Sequence, residues 1–291
     1  MTKLNENSIK ALITNRGAEN TLIVDWCQFT IFYKDLKILE DSKFISIKDF
    51  AINLFIKLFK INPTELYFEN GGINGYEYSI SHKNIYCYYS IGRPEMGINF
   101  KLSGQACRDF ENLGIEWIDF FRTLNTYVVG YNRIDIAIDD YTDKYFNIRK
   151  LQKYIKKGYV TSKFKSSLEL TKRNILDGSI LGDTLQFGSK ASRVQITFYN
   201  KMLERQSQNY IIDNSITSWT RTELRFRQER AKEIVDLIIN DNNFSSTIKG
   251  ILKNYICFLE PSDDSNKSRS ARNGWACRIA SAQRPSWISC K

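Results

Sequence analysis

The chain has 291 residues, and 42% of them are apolar, so a packed core of one large domain or two small ones is expected rather than disorder. Forty-two Lys and Arg against 32 Asp and Glu leave a net charge of +10, which favours a polyanionic partner. The single histidine, His82, excludes every site that needs two protein histidines, including HExxH zinc sites and paired-histidine metal clusters.

No run approaches the roughly eighteen apolar residues of a membrane span, and the first twenty residues lack the apolar stretch of a signal peptide. The six cysteines are scattered without a CxxC pair, so reduced thiols in the cytoplasm are expected.

In chain order, residues 1–20 read as a flexible polar arm. Leu22 to Phe32 is a β-branched and aromatic strand enclosing one carboxylate, Asp25. Ile47, Phe50, Leu54, Phe55 and Leu58 fall at helical spacing over 47–61. A glycine-rich turn leads into a strand, and His82-Lys83-Asn84 reads as the hairpin turn before IYCYYSI, which places His82 at the surface. GINFKL is a short strand, Ser103 a cap for the next helix, and Gly114 a break before a second helical piece. Strand 131–139 and helix 147–157 follow, the latter closed by Gly158. Further strands are expected near 159–165, 183–188, 193–200 and 219–227, and helices over 228–240 and 246–259.

The predicted class is α+β: a mostly antiparallel sheet with helices on one face. The two halves, 21–130 and a catalytic 131–260, repeat a strand–helix–strands–helix order, consistent with two pseudo-equivalent units forming a saddle. Residues 261–291 lose periodicity and read as an atypical tail.

Three strands of the second half carry the chemistry. Residues two apart share a face. Arg133, Asp135 and Asp139 therefore oppose Ile134, Ile136 and Ile138. Arg193, Gln195, Thr197, Tyr199 and Lys201 oppose Val194, Ile196 and Phe198, and Arg221, Glu223, Arg225 and Arg227 oppose Leu224 and Phe226. In one sheet, the polar face would gather carboxylates, a tyrosine and arginines. Arginines attract phosphates, and carboxylates tolerate them when Mg²⁺ or Mn²⁺ lies between. A tyrosine beside such an ion is the equipment of a DNA nickase. The alternative is a solvated face with ordinary surface ion pairs. Asp25 stays open between a functional carboxylate and a helix cap. Residues 149–173 hold nine Lys and Arg, including Lys153, Lys156 and Lys157, against Glu169 alone, which suits diffuse contact with a phosphate backbone.

Five segments, VDWCQFTI, INFKLSGQACRDFE, YNRIDIAIDD, LQFGSKASRVQITFYNKMLERQ and SWTRTELRFRQERAKEIVDLII, together resemble the Rep_trans-type rolling-circle replication initiators and, more closely, the NicK/MobT-type relaxases of integrative conjugative elements. The resemblance implies site-specific nicking of one origin DNA strand, with Tyr199 joined to the 5′ phosphate and a 3′ hydroxyl released. It implies Asp135, Glu223 and Asp139 as ligands of a divalent ion, Asp25 as a further acidic position, and Lys201 as a neutralising charge. Arg133, Arg193, Arg221, Arg225 and Arg227 would meet DNA. Thr197, where the initiators carry arginine, draws the chain toward the relaxases. A host helicase partner is implied, and a homodimer stays open. Plasmid replication with the same chemistry and noncatalytic origin binding are the rival functions.

Overall fold

The computed structural model describes residues 20–32, 46–142 and 147–260. The predicted arm up to residue 19, the tail 261–291, and Cys277 and Cys290 lie outside them. Among the described residues ten strands are hydrogen-bonded in the order β2 (Tyr67–Asn70), β3 (Tyr78–His82), β4 (Ile85–Tyr89), β5 (Ile98–Leu102), β1 (Asn20–Ile31), β6 (Val129–Asp140), β11 (Thr220–Arg227), β10 (Val194–Asn200), β9 (Ile180–Phe187) and β8 (Ser167–Arg173), and β12 (Ile256–Phe258) pairs with β7 (Val160–Ser162) in a small second sheet. The chain divides into two compact units.

One unit holds Val24–Asp135 with Arg225–Asp241. It contains most of β1 (Asn20–Ile31), then α1 (Ile47–Phe59), β2 (Tyr67–Asn70), β3 (Tyr78–His82), β4 (Ile85–Tyr89), β5 (Ile98–Leu102), α2 (Gly104–Asn112) and α3 (Trp117–Leu124). α1 begins where Ser46 accepts from the Asp49 backbone N–H at 3.2 Å and donates to the Asp49 carboxylate at 2.7 Å, a reciprocal cap. It ends at Lys60, which takes the left-handed conformation. Ser103 sits at the N-cap of α2, but its side chain makes no capping bond. Asp25 instead lies at this end: a Cβ on Gly104 would stand 3.2 Å from its Oδ1. The carboxylate thus faces the positive end of the helix.

The core of this unit is aromatic. Phe29 and Phe100, from paired strands, stack at 5.1 Å, and Phe55, Phe59, Phe110, Phe120 and Phe121 close around them. α6 (Glu229–Asn240) returns to the same unit, burying Ala231, Ile234, Val235 and Ile238 and packing on α3.

The other unit holds Ile136–Leu224 and the chain from Asn242. β6 (Val129–Asp140) enters it, followed by α4 (Ile148–Lys156), β7 (Val160–Ser162), β8 (Ser167–Arg173), β9 (Ile180–Phe187), β10 (Val194–Asn200) and α5 (Lys201–Ser207). The first part of β11 (Thr220–Arg227), α7 (Phe244–Tyr255) and β12 (Ile256–Phe258) complete it. Ile136, Ile138, Leu185, Ile196, Phe198 and Leu224 are buried on one side of its strands, as the alternation predicts.

Several elements differ from expectation. β2, β8, α5 and β12 were not predicted. β2 and β8 are the edges of the large sheet and expose most of their residues, so no buried periodicity marks them. His82 is not a surface turn residue. It ends β3, is only 7% exposed, and lies with Nδ1 3.6 Å from Glu65 Oε2. The turn is Lys83-Asn84, with Lys83 at positive φ. Cys27, Cys87, Cys107 and Cys257 are buried, and burial pushes the first three thiols above their ordinary value. Among the described residues no helix is long and apolar enough to cross a membrane.

Phe100→Ala removes the ring at the centre of the aromatic core and is expected to cost about 3–5 kcal/mol. A urea titration followed by tryptophan fluorescence measures it, and a change below about 1 kcal/mol would mean this core is not packed as described.

Candidate active site

Strand register brings the predicted tyrosine to a carboxylate. Leu170 on β8 lies opposite Thr184 on β9, and Thr184 opposite Tyr199 on β10. The Tyr199 hydroxyl donates to Glu223 Oε1 on β11 at 2.6 Å. That is the length of a strong O–H···O⁻ bond. Both side chains are half-buried and line a cavity of about 480 Å³ with Leu170, Lys172, Thr184 and Glu204. β10 stops one residue later because Asn200 caps α5, accepting from the Leu203 N–H at 2.9 Å. Tyr199 therefore sits at the mouth of its strand, not inside the sheet.

Lys201 opens α5, buried, with Nζ 2.8 Å from Glu204 and 5.4 Å from the centre of the Tyr199 ring. Burial, aided by the nearby Arg221 charge, holds its ammonium below the ordinary lysine value; Glu204 opposes this.

The structure places the other predicted acids against arginines. Asp139, 1% exposed, accepts from Arg221 Nε at 2.7 Å and Nη2 at 2.8 Å, and from the Trp219 indole at 2.6 Å. Arg221 is itself 4% exposed, so it offers no surface to a DNA phosphate, contrary to expectation. In the other unit, Asp135 accepts from Arg133 Nε at 2.8 Å and Arg225 Nε at 3.0 Å. Among the described residues no three His, Cys, Asp or Glu side chains are grouped to hold a metal. Asp135 accepts from guanidinium groups, Asp139 from a guanidinium and an indole, and Glu223 from a phenol, so these carboxylates do not form a ready-made Mg²⁺ or Mn²⁺ site.

Guanidinium groups do gather around Asp135. Burial lowers the Arg227 pKa, and the Arg225 and Arg133 charges lower it further. The Arg133 guanidinium lies 3.9 Å from the centre of the Trp26 ring, and Lys101 Nζ lies 5.4 Å from it. Trp26 and Lys101 escaped the sequence reading because cross-strand neighbours are invisible to spacing along one strand. Strict alternation also fails locally. Tyr131 and Ile134 are both buried, while Asn132 bonds Thr30 at 2.9 Å and Arg133 covers Trp26. Arg193 and the α4 residues Lys153 and Lys156, with the adjoining Lys157, are exposed.

The chain has one solved and one curated counterpart of note. The rolling-circle replication initiator protein from Geobacillus stearothermophilus superposes with a TM-score of 0.75 at 28% identity, over 91% of this chain and 98% of that one. A Bacillus subtilis (strain 168) protein named as a candidate DNA relaxase, NicK, is 31% identical over 201 residues, 67% of this chain. The chain spans 56% of that relative's length. Residues 43–123 match the rolling-circle replication initiation protein N-terminal domain, and residues 130–286 match the Rep_trans replication initiation factor model. The chain belongs to the Rep_trans replication initiation factor family. The second match runs beyond residue 260 into the segment whose composition is atypical.

Two outcomes test the charge placement. Arg221→Met leaves Asp139 buried without its partner and is expected to cost about 3–5 kcal/mol, most of it regained in Asp139→Leu/Arg221→Met. Equal loss in both variants, read from urea titrations, would refute a structural pair. The depressed Lys201 pKa makes its burial penalty complete at neutral pH and smaller as pH rises from the folded value toward the ordinary lysine value. Wild type should therefore gain stability relative to Lys201→Met between pH 7 and pH 10 (roughly the range below an ordinary lysine pKa), and a gap that widens instead would contradict the assignment.

Proposed function

We propose that this protein nicks one strand of origin DNA by tyrosine transesterification, opening rolling-circle transfer or replication. The observation that carries the reading is the 2.6 Å bond from Tyr199 to Glu223, in a cavity of a chain with net charge +10. Glu223 takes the phenol proton as the Tyr199 oxygen attacks phosphorus in line. The phosphorus–O3′ bond breaks, the 3′ oxygen leaves and acquires a proton from solvent, and the 5′ phosphate stays on Tyr199. The phosphotyrosine keeps the bond energy, so the released 3′ hydroxyl can reverse the step and rejoin the strand. Lys201 acts through Tyr199, placing positive charge beside the forming phenolate.

Positive surface brings the DNA in. The lysines of α4 and neighbouring Lys157 are exposed and suit backbone phosphates. Arg133, Arg225 and Arg227, with Trp26, offer a second basic and aromatic surface. Mg²⁺ or Mn²⁺ would meet a donor set that does not fit it without rearrangement. A helicase entering at the nick would extend the opening.

Tyr199→Phe is expected to reduce nicking of supercoiled origin DNA by roughly a thousandfold or more while binding changes little. Glu223→Gln should lower it by about a hundredfold or more through loss of the base. Gel electrophoresis of the plasmid and denaturing electrophoresis of protein–DNA adducts read both. Covalent adducts formed by the Phe variant would rule Tyr199 out as nucleophile.

A further inference from the structure

The β8–β9 hairpin holds a feature that strand cleavage does not use. Its turn is fixed by its own hydrogen bonds. Asn174 N donates to Ser179 O at 2.9 Å, Gly178 N to Asn174 O at 2.9 Å, and Leu176 N to Asn174 Oδ1 at 3.0 Å. Ser179 N donates to Asp177 Oδ1 at 2.9 Å, and Gly178 takes the positive φ that glycine allows. The turn therefore has a definite shape, yet it holds Ile175 98% exposed and Leu176 95% exposed. Two large aliphatic side chains fixed at the tip of an ordered hairpin are a liability unless something receives them.

The charge around them selects the partner. Lys163, Lys165, Lys172 and Arg173 are all exposed on or beside the stem. The nearby acids are Glu169, which pairs with Lys156 at 3.6 Å, Asp177 in the turn, and Asp183, which lies opposite Thr171 and accepts from its hydroxyl at 3.3 Å. An apolar groove on a protein partner would not require this basic stem, whereas a duplex offers phosphates to the lysines and base steps to the tip. The stem also reaches the reaction site, because Leu170 and Lys172 line the Tyr199 cavity. From Leu170 to Ile175 the strand covers roughly 17 Å, at about 3.3 Å per residue.

We propose that Ile175 and Leu176 wedge between base steps of duplex origin DNA, opening the strand that the basic stem leads to Tyr199. The proposal rests on the nicking reading and assigns it a melting device. Phosphate contacts hold the stem, and the aliphatic pair replaces the stacking lost at the opened step.

The test compares wild type with Ile175→Ser/Leu176→Ser, both at exposed positions where folding should not suffer. The substrates are a linear duplex of DNA flanking the coding sequence and the separated strands of that DNA. The double variant should cleave the single strand at the wild-type rate and the duplex about tenfold or more slowly, with Ile175→Val/Leu176→Met retaining activity on both. Equal loss on both substrates, or none on the duplex, would overturn the wedge. So would a change of sedimentation in the double variant, which would make the tip a protein contact. If wild type cleaves neither substrate, the nicking reading fails, but the wedge is still decided separately. Tyr199→Phe protein should then raise the fluorescence of 2-aminopurine placed in the duplex, and adding the two serine substitutions should abolish that rise; no rise with Tyr199→Phe alone would sink the wedge.

Discussion

The arrangement depends on how carboxylates and guanidinium groups are matched along β11. Arg221, Glu223 and Arg225 alternate on one face of this strand. Arg221 is bound by Asp139 and Arg225 by Asp135, both on β6, whereas Glu223 bonds Tyr199 on β10. An isolated carboxylate buried as deeply as Asp139 would protonate or pull water inward. Arg221 prevents this with two nearly parallel hydrogen bonds, and the Trp219 indole adds a third. The matching leaves Glu223 as the acid of the strand whose oxygen faces a phenol. A guanidinium in bidentate contact would instead compete with the phenol for that oxygen.

Much of this was legible in the residues. Alternation separated an apolar side from a polar one on β10, on β11 and on β6 from Ile134 onward, and it put Tyr199 and Glu223 on polar faces. It could not say which acid meets which cation, because spacing along a strand fixes the face but not the cross-strand register. A metal ligand and an arginine partner leave the same pattern. Asp139 and Arg221 show the consequence: they read as a metal ligand and a DNA contact, and the structure buries them against each other. The edge strand β8 was missed for a related reason. Its residues face water on both sides, so nothing in its alternation reports a core. That strand nevertheless lines the tyrosine cavity through Leu170 and Lys172.

Arginine and lysine divide the positive charge accordingly. Arg221 is neutralised within the fold by Asp139, and Arg133 and Arg225 converge on Asp135. The planar guanidinium suits such fixed pairing, since its donors match both oxygens of a carboxylate. The lysines of α4 differ: they are exposed on the helix surface, and Lys156 meets a carboxylate, Glu169, only at 3.6 Å. Charge that organises the interior adds little to the external field, because its partner lies within hydrogen-bond distance. Charge on exposed lysines adds to that field fully and is screened by salt. The basic excess of the sequence is thus carried in large part by exposed lysines of α4 and of the β8–β9 stem, with a further positive excess where Arg133 and Arg225 share the single carboxylate of Asp135.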